Sequence, residues 1–295
     1  MSPVRVAPRV WLITGASSGF GLELAKVVLE MDELVVGVCR HPEALKTLAD
    51  AHPSTFLALR CDVTIPSDIT AAFAAAIAKF GHVDVVFNSA GSAILGELEA
   101  TPDDSARALF EVNFWGALAV SKEAVRVFRD VNPAGCGGRL LNVSSGVGFG
   151  GVPLTGMYAA SKFGSCGGLY RGSSSRNRPC MEYQESFRYP SSALAPSEPA
   201  CTTTAQSKSP SPLLTTNPTS PSRAVRDWFA DDSNIKGDPV AAARRFFRFS
   251  NLEKPPMRWA VGMGAVMGVR AKVKWVTEEN DLYESWSDGL ERSDA

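Results

Sequence analysis

Tyr158 and Lys162 have the types and the spacing to move a proton. They are four residues apart, so on a helix they share one face. A free phenol gives up its proton only near pH ~10, too high for catalysis at neutrality. A neighbouring ammonium favours the phenolate, which suits the tyrosine to general acid/base work. Ser145 stands at the end of an apolar run upstream and is placed to hydrogen-bond a substrate oxygen. A tyrosine and a lysine at this spacing also occur on ordinary helices, and the pair alone does not separate the two readings.

The second stretch with chemistry in it is "TGASSGFG", Thr14 to Gly21. Gly15, Gly19 and Gly21 allow a sharp turn and a close approach of backbone to a pyrophosphate, which rests on the helix N-terminus that follows. Ser17 and Ser18 add hydroxyl donors. A plain glycine turn with an N-cap serine has the same composition, but the strand–turn–helix setting favours a nucleotide site. After the next strand stand Cys39 and Arg40, where an acidic residue would hold the ribose hydroxyls of NAD. Arginine pairs with a 2′-phosphate and so favours NADP, unless Arg40 is simply a solvated surface residue. Asp62 either accepts from an adenine amino group or caps a turn. Asn88 opens "NSAG" at the carboxyl end of a strand, the edge where ligands bind in open α/β sheets.

These residues need a frame, and the sequence predicts one. Apolar runs at Val10–Thr14, Leu34–Val38 and Thr55–Leu59 read as strands, and further strands end at Asn88 and Ser144. Helices are expected from Phe20 to Met31, around Ile69, Phe73, Ile77 and Phe80, and in one stretch from Pro102 to Val131. Such alternation implies an α/β fold of Rossmann type, a doubly wound parallel sheet flanked by helices. The 295 residues, 45% hydrophobic and 21% charged, suffice for one large domain over residues 1–295. A net charge of −1 leaves no footprint for nucleic acid or an anionic membrane. No apolar run is long enough to span a bilayer, too few residues precede the first strand for a secretory signal, and the cysteines show no metal spacing. The expectation is a metal-free, cytoplasmic protein with reduced thiols.

Together "TGASSGFG", "DVT", "NSAG", "VNFWG", "NVSS" and "YAASK" resemble the short-chain dehydrogenase/reductase family, in its order and spacing, and more narrowly a fungal-type NADP-dependent member. The resemblance implies an NADP(H)-dependent oxidoreductase that interconverts a carbonyl and a secondary alcohol on a small-molecule substrate, with room for a homo-oligomer. It implies a catalytic set of Asn113, Ser145, Tyr158 and Lys162, with Ser144 the alternate to Ser145. Tyr158 would be the acid/base, Lys162 would bind the nicotinamide ribose, and Asn113 would hold a relay water. The cofactor positions carried over are Ile13, Gly15, Ser17, Ser18, Gly19, Gly21, Arg40, Asp62, Val63 and Asn88, with Tyr158 and Lys162. A serine at the second position of "NSAG" and Phe20 are small departures.

The large departure is residues 165–222, rich in Ser, Pro, Thr, Arg and Gly, where the family continues with an apolar helix and a sixth strand. A shifted reading frame accounts for it. Dropping the first base of each codon turns Met181–Glu182 into an obligatory Trp, and the following codons permit Asn, Ile and Lys. The codons of Tyr170 to Ser174 permit Thr-Glu-Ala-Leu, a helix continuation. A misplaced intron boundary gives the same outcome; a genuine insertion is the other reading. With the sixth strand expected to be missing or replaced, the alternative function is a non-catalytic or defective dinucleotide-binding remnant. Helical patterning returns from Ala224, in "AVRDWFAD", in "DPVAAARRFFRFSNL" and in a terminal "VRAKVKWVTEENDLYESW".

Overall fold

Short continuous apolar runs become strands buried on both faces, and that decides the architecture. The computed structural model describes residues 7–167, 180–183, 221–231 and 237–290. In chain order the strands are β1 (Val10–Thr14), β2 (Leu34–Cys39), β3 (Phe56–Arg60), β4 (Val85–Asn88), β5 (Arg139–Val143), β6 (Cys180–Tyr183) and β7 (Arg258–Val261). They form one sheet in the order β3-β2-β1-β4-β5-β6-β7, with every pairing parallel. The main helices are α1 (Gly19–Glu30), α2 (Lys46–Ala51), α3 (Pro66–Phe80), α4 (Asp103–Phe110), α5 (Ala117–Asp130), α6 (Gly156–Gly167), α7 (Pro221–Ala230), α8 (Pro239–Ser250) and α9 (Met263–Tyr283).

Alternate residues of β1 feed two cores. Trp11 and Ile13 join Leu24, Val28, Phe87 and Phe246 beneath α1 and α8. Leu12 joins Val36, Ile69, Phe73, Val86 and Val120 beneath α3 and α5. Local chemistry sets the ends of the helices. Proline opens α3 and Gly81, at φ 87°, closes it. Asp238 caps α8 by accepting from the Val240 and Ala241 amides at 2.9 and 3.1 Å.

Strands 1 to 5 fall within a few residues of the apolar runs that predict them. One expectation needs correction. The helical stretch from Pro102 to Val131 is not uniform: a π-helical turn, Glu111–Gly116, separates α4 from α5. The extra residue in that turn leaves the apolar rhythm intact, so periodicity does not reveal it. The sixth strand is not missing: four residues of the anomalous segment, Cys180–Tyr183, stand in its place, which is the replacement the sequence also allowed. Cys180 and Met181 pair with Asn142 and Val143 of β5, and Cys180 to Tyr183 pair with Arg258 to Val261 of β7. Two neighbouring strands with open backbone groups need a partner, and four extended residues supply it whatever their side chains. The rest of the anomalous segment, 168–179 and 184–220, lies outside the described residues. Among the described residues no helix is long and apolar enough to cross a membrane.

Candidate active site

The candidate residues collect at the carboxyl ends of β1, β4 and β5. Gly15 follows β1 at φ 67° and Gly19 opens α1 at φ 54°, a region other residues enter only with strain. Gly21 is required by contact: a Cβ there would lie 2.4 Å from the Gly15 carbonyl oxygen. Ser18 occupies the N-cap position, yet its side chain makes no cap hydrogen bond, so the first-turn amides of α1 have no side-chain acceptor from it. Ser17 instead bonds the buried Cys39 thiol, whose pKa is raised because burial outweighs that bond. Burial, aided by Asp68 and Asp62, pushes the Cys61 thiol up to about 12. Neither thiol is suited to nucleophilic work. A tight glycine turn beside an uncapped helix start is the chemistry a pyrophosphate needs, and the residues fit a dinucleotide.

On the adenosine side, Arg40 is exposed just past β2. Asp62 forms a turn, its Oδ1 accepting from the Thr64 amide at 2.9 Å and the Thr64 hydroxyl at 2.8 Å. The turn-forming role is therefore real, and it leaves the second carboxylate oxygen for a ligand. Val63 is buried behind Gly116, where a Cβ would lie 2.8 Å from the valine Cγ2. Ile13 is fully buried in mid-strand, so its side chain faces core.

Asn88 closes β4, at the carboxyl edge where the sequence reading puts it, and its side chain is engaged within the protein. Its amide donates to Asn142 Oδ1 at 2.7 Å and to the Ala117 carbonyl at 3.2 Å, while its Oδ1 accepts from the Thr14 hydroxyl at 2.8 Å. The side chain is spent on bracing β1, β5 and α5. Thr14, which sequence reasoning missed, is the hub of that brace: its Oγ1 also accepts from the Ser89 and Ala90 amides at 3.1 and 3.0 Å.

The catalytic candidates meet where α6 crosses the end of β5. Lys162 is buried, and its Nζ donates to the Val143 carbonyl at 3.2 Å. Gly91 makes room for it: a Cβ there would stand 3.1 Å from both Lys162 Nζ and Asn113 Oδ1. Asn113 sits in the π-helical turn, 1% exposed, with every side-chain group engaged. Its amide donates to the Ser92 carbonyl at 2.8 Å and Ser161 Oγ at 3.0 Å, and its Oδ1 accepts from the Ser92 amide at 2.9 Å. Ser161, also missed from sequence, donates in turn to the Tyr158 carbonyl at 2.8 Å. Tyr158 is half-buried, one turn ahead of Lys162.

The two serines are separated by their partners. Ser144 Oγ donates to the Lys162 carbonyl at 3.3 Å, a tie within the framework. Ser145 is 9% exposed, and among the described residues its hydroxyl has no hydrogen-bond partner. The loop carrying it packs on α6 so closely that a Cβ at Gly148 would lie 3.0 Å from the Lys162 backbone. A small cleft lined by Asn113, Val143, Ser144 and Lys162, among others, lies beside these groups, and neither Ser145 nor Tyr158 is part of its lining.

Comparison with known proteins bears on the family and the fold. The chain matches the model of the short chain dehydrogenase family over residues 9–171. An uncharacterized oxidoreductase of Schizosaccharomyces pombe is 30% identical over 287 residues, covering 96% of this chain and 92% of that protein. Oxidoreductase calM of Penicillium decumbens is 35% identical over 173 residues, 55% of this chain and 56% of its own length. A short-chain dehydrogenase from Streptomyces avermitilis superposes with a TM-score of 0.79 at 26% identity, covering 97% of this chain and all of that one. Two more distant structures share the fold. An alcohol dehydrogenase from Thermococcus sibiricus, complexed with 5-hydroxy-NADP, has a TM-score of 0.55 at 23% identity and covers 60% of this chain and 76% of its own. A Burkholderia phymatum family member in complex with NAD has a TM-score of 0.68 at 20% identity, with 92% and 95% covered.

Proposed function

The chain belongs to the short-chain dehydrogenase/reductase family of oxidoreductases, and from that premise we propose that it interconverts a carbonyl and a secondary alcohol on a small molecule, with NADP(H) as cofactor. The observation that carries the proposal is the convergence of buried Lys162 and the unengaged Ser145 hydroxyl on the end of β5, with Tyr158 on the lysine's helix face. When bound, the dinucleotide supplies or takes up the hydride. In reduction Tyr158 Oη gives its proton to the carbonyl oxygen, and in oxidation it takes that proton back. The charge of Lys162, one turn away, favours the phenolate left behind. Ser145 Oγ donates a hydrogen bond to the same oxygen and fixes its direction. Asn113 ties the π-helical turn to α6 through Ser161 and to the loop at Ser92. With its side chain so engaged, a relay water near the lysine would be held by a group other than that side chain.

Gly15, Ser17, Ser18, Gly19 and Gly21 would hold the pyrophosphate, Asp62 and Val63 the adenine, and Tyr158 with Lys162 the nicotinamide ribose. Arg40 supports NADP over NAD, since the chain offers no acid at the end of β2 to pair with free ribose hydroxyls. The test is absorbance of NADPH at fixed enzyme against a panel of ketones and aldehydes, with Tyr158→Phe as the blank. Turnover equal in the two proteins would remove the assignment.

One observation favours a second reading, a remnant that holds dinucleotide without turning over. The family match stops at residue 171, inside the segment whose composition departs from the family. Binding of NADPH with no turnover of any carbonyl, restored on repairing the reading frame, would select it.

A further inference from the structure

Helix α9 leaves the body of the protein part-way along its length. Ala265 is buried and Lys272 passes over Gly150, but from Val273 to the helix end every residue is exposed. This outer part carries Val273, Trp275, Val276, Leu282 and Tyr283, with Trp286 just beyond, at exposures from 47% for Val276 to 77% for Trp286. Three turns of helix standing in water with such a load are unfavourable, both as isolated helix and as apolar surface. At 3.6 residues per turn, Val273, Val276 and Tyr283 continue the same line on which Ala265 and Val269 meet the body.

We propose that α9 pairs antiparallel with α9 of a second copy of this chain, about a two-fold axis near Val276. The charges decide the occupant and the register. Lys272 and Glu279 lie on the apolar face itself, two turns apart and on either side of Val276. In an antiparallel pair about that axis each lysine meets the other copy's glutamate. On the opposite flank Arg270 and Glu284 are disposed in the same way. Lys274 and Glu278 face outward and bridge within one helix at 3.6 Å. The basic half of the arm is thus complementary to its acidic half only when two arms run in opposite directions. Trp275, over whose ring Lys272 Nζ sits at 4.0 Å from the centroid, widens the buried strip.

Position 276 would meet its own copy, whereas position 263 would be two ends apart. Val276→Cys under mild oxidation should give a dimer linked through position 276, identified by peptide mass mapping, while Met263→Cys should give none. Lys272→Glu should weaken dimerisation in sedimentation by about tenfold or more, and adding Glu279→Lys should restore it. All four residues are exposed or half-exposed, so folding is preserved. Cross-linking no faster at 276 than at 263, or a double variant no tighter than Lys272→Glu, overturns the proposal. So does cosedimentation with phosphatidylserine vesicles that is lost in Trp275→Glu/Trp286→Glu without any cross-link, which would give α9 to a membrane surface.

Discussion

Replacing Gly21 by alanine tests the dinucleotide cradle with one atom. The added Cβ would lie 2.4 Å from the Gly15 oxygen, 2.8 Å from its carbonyl carbon and 3.1 Å from Ala16 Cα. A carbon–oxygen contact settles at about 3.3 Å or more, so the turn must open by roughly 0.9 Å. Gly15 has nowhere to go, because it is pressed against the backbone of Ser89 and Ala90, where its own Cβ would stand 3.0 Å from the Ala90 nitrogen. Overpacking of this kind costs about 1–3 kcal/mol, which for a domain of this size lowers Tm by about 2–12 °C. Moving Gly15 away from the start of α1 also misaligns the amides offered to a pyrophosphate, and NADPH affinity should fall about tenfold to a hundredfold. Gly19→Ala is the control: nothing lies within 4 Å of its Cβ, and only the φ of 54° is penalised, at about 1–2 kcal/mol. Scanning calorimetry and calorimetric titration with NADPH, run on both variants, separate the effects. A Gly21→Ala protein that melts and binds like the parent would refute the cradle.

The other predictions follow from the same contacts. Arg40→Ala should abolish a preference for NADPH over NADH of about tenfold to a hundredfold in calorimetric titration; equal affinities in the parent chain would remove Arg40 from that role. Ser145→Ala should lower kcat by about a hundredfold with Tm unchanged, whereas Ser144→Ala should cost about 1 kcal/mol of stability and little rate; the reverse outcome would exchange the two serines. Glu97 is buried, and its hydrogen bond from Arg226 holds its carboxyl below the usual 4.5. The stabilisation is therefore present above 4.5 and lost as pH falls through the lower folded value, so Tm should drop in acid. Arg226→Met should flatten that dependence in a Tm series across acid pH, and an unchanged slope would dismiss the pair. Restoring the alternative reading frame over residues 165–212 should raise both Tm and NADPH affinity, and a written chain that matches the repaired one on both counts would mean the insertion is genuine structure.

Strands β1, β2 and β4 were legible because burial on both faces demands uninterrupted apolar residues, and the partly buried β3 and β5 were legible from shorter apolar runs. Gly15, Tyr158 and Lys162 were legible for a similar reason, since a turn conformation or a one-turn spacing is a local property. β7 was not: Arg258 is exposed, Trp259 and Ala260 are half-buried, only Val261 is buried, and an apolar run of three residues is too short to read as a strand. β6 was invisible because its place depends on two partners distant in sequence, Asn142 and Val143 on one side and β7 on the other.

The sequence by itself determined the order of the elements, the glycine turn and the residue types available for proton transfer. Which serine is left to act, and what holds the lysine, were decided only by the tertiary structure. Ser144 is spent because α6 brings the Lys162 carbonyl to it, and Asn88 is spent because Thr14 and Asn142 arrive from other strands. Asn113 and Ser161 meet across 48 positions of chain. A hydrogen bond consumes a donor wherever in the sequence its acceptor originates, so the groups that remain for a substrate are known only after every long-range partner has been seated.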